Sequence, residues 1–363
     1  MSLRDKLQAW RTFLKREWNY WRRTLIGCTI QPTYRCNLRC KMCGSPRIAT
    51  PGDAARELTG DQMVRIVDEL GEMGVGNLQL IGGEPFLRKN EMLAVAERAR
   101  QRKIRSSIVT NGTLIDEDLA QQIVDIGVSR LAFSVDGVGA AHDRVRGPGA
   151  FERTKEAMRL VLEKRRRRGS RHPVIITQTS ISRLNYDQVP ALFRFGEEIG
   201  ADHVRINYVT EIPAERLDAT RMDGVPMCTD RWGRKGESLL LSPSELQAFR
   251  ASLECVAAGH DIEMLKSLDD AGYLQCFHPP RRCYFMRNIM LINPFGEALP
   301  CIQMDRYVMG NVLKDGLRAV WQNERHRRII ASLRKGVYPA CSGCHYYLHN
   351  LSPGQHPRVA GLL

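Results

Sequence analysis

A parallel α/β sheet curled into a partial (β/α)6 barrel of TIM type, with a small cysteine-rich C-terminal domain, is the fold this sequence predicts. Three observations carry it. Six strand-like segments alternate with amphipathic helical ones between about residues 25 and 210, which is the pattern of a parallel sheet covered by helices. Right-handed crossovers curl such a sheet into a barrel or part of one. Several of the strands also carry one polar face, where a strand covered by helices on both sides reads as a near-continuous apolar run. A polar, ligand-holding lumen accounts for that alternation.

In chain order, residues 1–26 form a basic amphipathic helix. Leu7, Trp10, Leu14, Trp18, Trp21 and Leu25 recur at helical spacing among Arg4, Lys6, Arg11, Lys15, Arg16, Arg22 and Arg23. That combination suits either an interfacial helix on an anionic membrane or a helix packed across the bottom of the barrel. Residues 27–210 form the barrel. Its strands are "LIGCTIQPT", "NLQLIGG", "RSSIVTNG", "SRLAFSVDG", "VIITQTSIS" and "HVRINYV". Thr29, Gln31 and Thr33 share one face of the first strand. Ala132, Ser134 and Asp136 share one face of the fourth, and His203, Arg205 and Asn207 one face of the sixth. "GEMGVG" (Gly71 to Gly76) follows a helix and reads as its stop. "RRRR" at Arg165 to Arg168 closes another helix, where cations meet the dipole favourably.

Residues 211–275 form a linker or lid followed by a helix that Ser242-Pro243 caps. Residues 276–350 form the cysteine-bearing domain, and 351–363 a tail. No apolar run reaches the roughly 18 residues of a spanning helix, and the charged N-terminus has no signal-peptide pattern. Eleven cysteines without an export signal point to a reducing compartment and thiolate ligands. The expected location is therefore cytoplasmic, with peripheral membrane contact if the first helix is interfacial. The formal charge of +14 fits many anionic partners and identifies none.

"YRCNLRCKMCGSP" places Cys36, Cys40 and Cys43 in one loop just past the first strand, at the barrel mouth where such folds keep their chemistry. Three thiolates are one short of a closed zinc or cubane site, so one coordination position stays open. This C-x3-C-x2-C, with "GGEP" (Gly82, Gly83, Glu84, Pro85), "TNG" (Thr110 to Gly112) and "SVDG" (Ser134 to Gly137) on consecutive strand ends, resembles the radical S-adenosylmethionine superfamily from about Gly27 to Thr210. The resemblance implies a [4Fe–4S] cluster on Cys36, Cys40 and Cys43 whose open iron is chelated by S-adenosylmethionine. It further implies that Gly82, Gly83 and the Glu84 carboxylate receive the methionine ammonium. Two glycines let a ligand approach closely. The Met42 backbone would lie by the adenine and Ser134 would contact the ribose or carboxylate. Pro85, Asn111 and Asp136 are further cofactor-site candidates, although Asn-Gly and Asp-Gly are by default turn signals. Arg205 is a candidate for an anionic group near the open mouth, its bland alternative being an ion pair with Asp136. An electron from a donor such as flavodoxin or ferredoxin would split S-adenosylmethionine, and a 5′-deoxyadenosyl radical would abstract hydrogen from the substrate.

A second set, Cys283, Cys301, Cys341 and Cys344, follows C-x12-G-x4-C and C-x2-C. With "MGNV" and "AVWQNERHRRI" between the pairs it resembles the twitch domain, a shortened relative of SPASM. That implies one auxiliary [4Fe–4S] cluster with four protein ligands; a four-cysteine zinc ribbon uses the same count. Gly296 is the expected hairpin turn, and Cys276 is a possible alternative ligand. Closed ligation suits electron transfer, so the leading expectation is dehydrogenation of a small alcohol or sugar-like metabolite. The alternatives are maturation of a ribosomal peptide and modification of a membrane lipid. Against the peptide stands the short segment before the first strand, well under the ~50 residues of a small recognition domain. A rival of another class is a zinc-bearing nucleic-acid-binding module; a nucleic-acid partner is not the expectation.

Overall fold

The computed structural model describes residues 3–232, 236–256, 260–280 and 282–344. The expected tail, and the end of the auxiliary domain, lie outside them. Helix α1 (Leu3–Arg22) precedes a repeating unit: β1 (Gly27–Ile30), α2 (Gly60–Glu72), β2 (Asn77–Leu80), α3 (Lys89–Gln101), β3 (Arg105–Thr110), α4 (Glu117–Ile126) and β4 (Arg130–Ser134). Two helices follow β4, α5 (Ala140–Arg146) and α6 (Ala150–Arg167), then β5 (Val174–Ile181), α7 (Val189–Ile199) and β6 (His203–Tyr208). Strands β1 to β6 pair in parallel and in sequence order.

The helices obey local rules visible in the residues. In α2, Met63, Ile66, Val67 and Leu70 form the buried stripe that a 3.6-residue period dictates. Thr59 and Gln62 make its capping box, and it stops at Gly74, whose φ is +73°. The four arginines ending α6 meet acids: Arg165 pairs with Asp202, Arg167 with Glu163 and Arg168 with Asp125. Leu131 and Phe133 of β4 and Val135 just past it are fully buried, while Ser134 on the other face is partly open.

The sheet continues past the six expected strands. After α8 (Pro243–Glu254), the hairpin β7 (Ile289–Ile292) and β8 (Glu297–Leu299) leads to β9 (Gly310–Asn311). Strand β7 pairs in parallel with β1, so the described strands form one nine-stranded sheet, in the order β9-β8-β7-β1-β2-β3-β4-β5-β6, beside a separate two-stranded hairpin. Gly296 forms the β7–β8 turn with φ +79°, a conformation in which a side chain is strained. The cysteine-bearing domain is thus joined to the barrel through backbone hydrogen bonds on β1.

Helix α1 docks through Tyr20, whose ring lies 4.8 Å from that of Tyr284, and through Glu17, which pairs with Arg282 at 3.3 Å. Asn288 donates to the carbonyls of Asn19 and Thr24. Of the two readings of the stripe, packing across the barrel bottom is not what is seen: Trp10, Leu14, Trp18 and Trp21 are between 60% and 64% exposed. Only Leu25 of the described stripe side chains is buried. No described helix is long and apolar enough to cross a membrane.

Candidate functional site

The loop carrying Cys36, Cys40 and Cys43 leaves the C-terminal end of β1 and is tied down on all sides. Gly83 N–H donates to Thr33 O at 2.8 Å and Glu84 N–H to Arg35 O at 2.9 Å, which extends the β1–β2 ladder into the loop. Arg88, buried, donates to Pro32 O and Leu58 O. Arg35 makes a forked pair with Glu57. Lys41 N–H donates to Val145 O at 3.0 Å. A lid residue outside the predicted set, Arg231, reaches Ser45 Oγ at 2.6 Å and lies 5.4 Å from the Tyr34 ring centre.

The glycines of Gly82-Gly83-Glu84-Pro85 are explained by this packing. A Cβ on Gly82 would lie 2.4 Å from Thr33 O, and one on Gly83 only 1.9 Å from Arg35 O. Close approach is required, as expected, but by the cysteine loop. Glu84 is held by contacts of its own. It is 1% exposed. Its carboxylate accepts from Phe86 N–H, Thr110 Oγ1 and Asn111 N–H. Burial raises its pKa against those donors. It joins two strand ends, and three donors leave one of the roughly four acceptor positions of a carboxylate for a further donor. Pro85 is buried at the start of a 3-10 turn.

Asp136 is likewise committed. It is fully buried, with Arg146 Nε donating to Oδ2 at 2.6 Å and Ser180 N–H to Oδ1 at 2.9 Å. A carboxylate so enclosed cannot touch a cofactor, and its ion partner is Arg146, not Arg205. Removing either member alone would strand a buried charge, a cost of about 3–5 kcal/mol. Arg146 Nη1 also lies 3.8 Å from Cys40 Sγ, so this guanidinium joins the buried carboxylate to the cysteine loop. Burial pushes the Cys40 thiol up to about 11 while Arg146 pulls it down. Asn111 accepts from Thr113 as a turn residue does, and its Nδ2 reaches Asn37 Oδ1 at 2.9 Å and Cys36 Sγ at 3.9 Å. Met42 sits in the turn before Cys43.

The lumen beneath the loop has unfilled polar capacity. Gln31, 1% exposed, has both side-chain polar atoms buried without a partner. Such a group costs free energy until a ligand pairs it. The Ser134 hydroxyl also has no hydrogen-bond partner among the described residues. Three thiols, an orphaned amide and a free hydroxyl at one barrel mouth fit a cluster with an amino-acid-bearing ligand.

Cys283, Cys301, Cys341 and Cys344 are all buried. Burial raises Cys283 and Cys301 to about 12 and Cys341 well above its usual value, and the neighbouring thiols add to each shift. Four thiolates in such a pocket are stable only around a cation. Cys276 lies beside this loop, its Sγ 3.0 Å from where a Gly343 Cβ would stand, but its thiol points to Val209 O at 3.6 Å.

The model of the radical SAM superfamily matches residues 30–195, and that of SPASM, an iron–sulfur cluster-binding domain, matches 283–345. This chain is a radical SAM enzyme with a SPASM domain. A [4Fe–4S] cluster with S-adenosylmethionine, and auxiliary iron–sulfur binding in the SPASM domain, come with that membership. The chain is similar to the pre-heme d1 synthase of Dinoroseobacter shibae, 25% identical over 350 residues, 91% of this chain and 81% of the relative. It is similar also to the PqqA peptide cyclase of Granulibacter bethesdensis, 26% identical over 280 residues, 76% of this chain and 67% of the relative. The fold matches Streptococcus suis SuiB in complex with the precursor peptide SuiA, with a TM-score of 0.57 and 16% identity, covering 96% of this chain and 80% of that one.

Proposed function

We propose that this radical SAM enzyme modifies a peptide. The observation that carries the reading is the similarity to the PqqA peptide cyclase over 76% of this chain. The leading expectation from the sequence, oxidation of a small alcohol, gains no support from these relatives. In this reading Cys36, Cys40 and Cys43 hold the first cluster, and Cys283, Cys301, Cys341 and Cys344 the auxiliary one. Gln31, Ser134, Met42 and the Gly82–Gly83 carbonyls line the S-adenosylmethionine site, with Asn111 and Arg146 orienting the thiolates from behind. The bound groups supply reductive cleavage and hydrogen abstraction, fed by a flavodoxin- or ferredoxin-type donor. Closing the lid at Arg231 over Tyr34 keeps water from the reacting atoms. The test is deuterium transfer into 5′-deoxyadenosine by the reduced holoenzyme. A perdeuterated peptide specified by a neighbouring reading frame is expected to deliver label and a perdeuterated aminocyclitol none; the reverse result overturns the reading.

We further propose that α1 rests on an anionic membrane surface. Trp10, Leu14, Trp18 and Trp21 form an exposed apolar face flanked by exposed Arg11, Lys15, Arg22 and Arg23. Tryptophans seat at the headgroup level and each nearby cation adds about 1 kcal/mol on anionic lipid. The protein is expected to co-sediment with phosphatidylserine-containing vesicles, less so at high salt, and Trp10→Ser with Trp18→Ser is expected to release it. Equal binding to purely zwitterionic vesicles, or none to either, contradicts this.

A further inference from the structure

The lumen contains a second polar region that the cluster and S-adenosylmethionine do not use. A cavity of about 110 Å³ opens among the first residues of four strands, Gly27, Asn77, Arg105 and Arg130, and extends to Gln178 of β5 and Arg205 of β6. The first residues of these strands lie at the end of the barrel opposite the cysteine loop, and Arg205 stands further along, in register with Gln178 and through it with Ser134.

Three arginines line this one cavity. Arg130 is half-buried, and its pKa is lowered first by burial and then by Arg105 and Arg205, with no acid acting on it. The side chains of Arg130, Arg205 and Gln178 make no hydrogen bond or ion pair with any described residue. Around the cysteine loop the arrangement is different: Arg35, Arg88 and Arg146 each face an acid. Like charges gathered in a partly buried space repel, and no acid stands beside the Arg130 or Arg205 side chain to offset that. A bound anion does. Guanidinium forks match the oxygens of carboxylate or phosphate, and the volume admits such a group with water beside it.

We infer that this half of the lumen is an oxyanion site, which takes an acidic group of the substrate while the reacting part lies toward the cysteine loop. Arg130 and Ser134 stand four residues apart on β4, about 13 Å of strand, so the acidic group and the reacting atom belong to one extended molecule. The inference rests on the reading that substrate occupies the lumen and names the chemistry that holds it there.

The experiment titrates the holoenzyme with three probes: a short glutamate-rich peptide, the tetracarboxylate coproporphyrin III, and inorganic phosphate. Wild-type protein is compared with Arg130→Met, Arg205→Met and the double variant by calorimetry and by melting temperature. At least one oxyanion probe is expected to bind, and each substitution to weaken it about tenfold or more. Without ligand, the variants are expected to melt no lower than wild type, because removing a guanidinium relieves repulsion. Binding of the peptide supports the site and the peptide reading together. Binding of coproporphyrin or phosphate alone supports the site and removes the peptide reading. No binding by any probe, affinities unchanged in the double variant, or ligand-free variants that melt lower would each overturn the inference.

Discussion

Cys40→Ala is expected to abolish reductive cleavage of S-adenosylmethionine and to lower the iron content from about eight to about four per chain. The argument is geometric. All the thiolates available at the barrel mouth come from one loop, and a cubane held by two of them has lost the corner that orients the others. The fold should survive. Arg146 keeps its 2.6 Å pair with Asp136 when the thiol is gone, and the loop remains tied through Thr33, Arg35 and Lys41. The melting temperature is therefore expected to change little while activity falls to background. Retained cleavage, or a variant that simply unfolds, would contradict the account. Anaerobic product analysis and iron assay read both quantities.

Cys341→Ala is expected to have the second-largest effect and a different signature. Cleavage of S-adenosylmethionine should continue, while formation of modified substrate falls by about 100-fold or more, beyond the usual 10–100-fold cost of losing an outer-shell partner. The separation follows from the sheet: the auxiliary cysteines come before and after β7, the strand beside β1, and none belongs to the Cys36–Cys43 loop. Their segment is also anchored without a cluster. Ala340 N–H donates to Thr220 Oγ1, Arg216 to Ser342 Oγ, and Gln303 to Gly343 O at 2.6 Å. Global unfolding is not expected. Simultaneous loss of cleavage and product would place the auxiliary thiols in the first site and contradict this division.

The six barrel strands, their helices and the two cysteine sets were legible because each rests on local signals: alternation, capping residues and cysteine spacing. Gln31 was legible in part, since alternation had placed it on the polar face with Thr29, though nothing local marks an amide as unpartnered. Three features were not legible. Asp136 is withdrawn from the cofactor by Arg146, and the arginine is contributed by a helix whose packing no short pattern encodes. Glu84 accepts from Thr110 and Asn111, a contact across two strand ends. The pairing of β7 with β1 joins residues more than two hundred positions apart in sequence, so no window of residues contains it. Strand alternation turns Arg205 toward the lumen, whose cavity it lines, but alternation fixes the face and not the neighbours met across the lumen.

The central claim is that the cluster on Cys36, Cys40 and Cys43 keeps one iron free of protein. Electron paramagnetic resonance of the dithionite-reduced holoenzyme, before and after addition of S-adenosylmethionine, tests it most directly. The signal of one cluster is expected to shift on addition, to carry hyperfine coupling from 17O-labelled S-adenosylmethionine carboxylate, and to vanish in Cys40→Ala while the auxiliary signal stays. Spectra indifferent to S-adenosylmethionine, with both clusters intact, would mean that every iron is already closed by protein, and the account would fall.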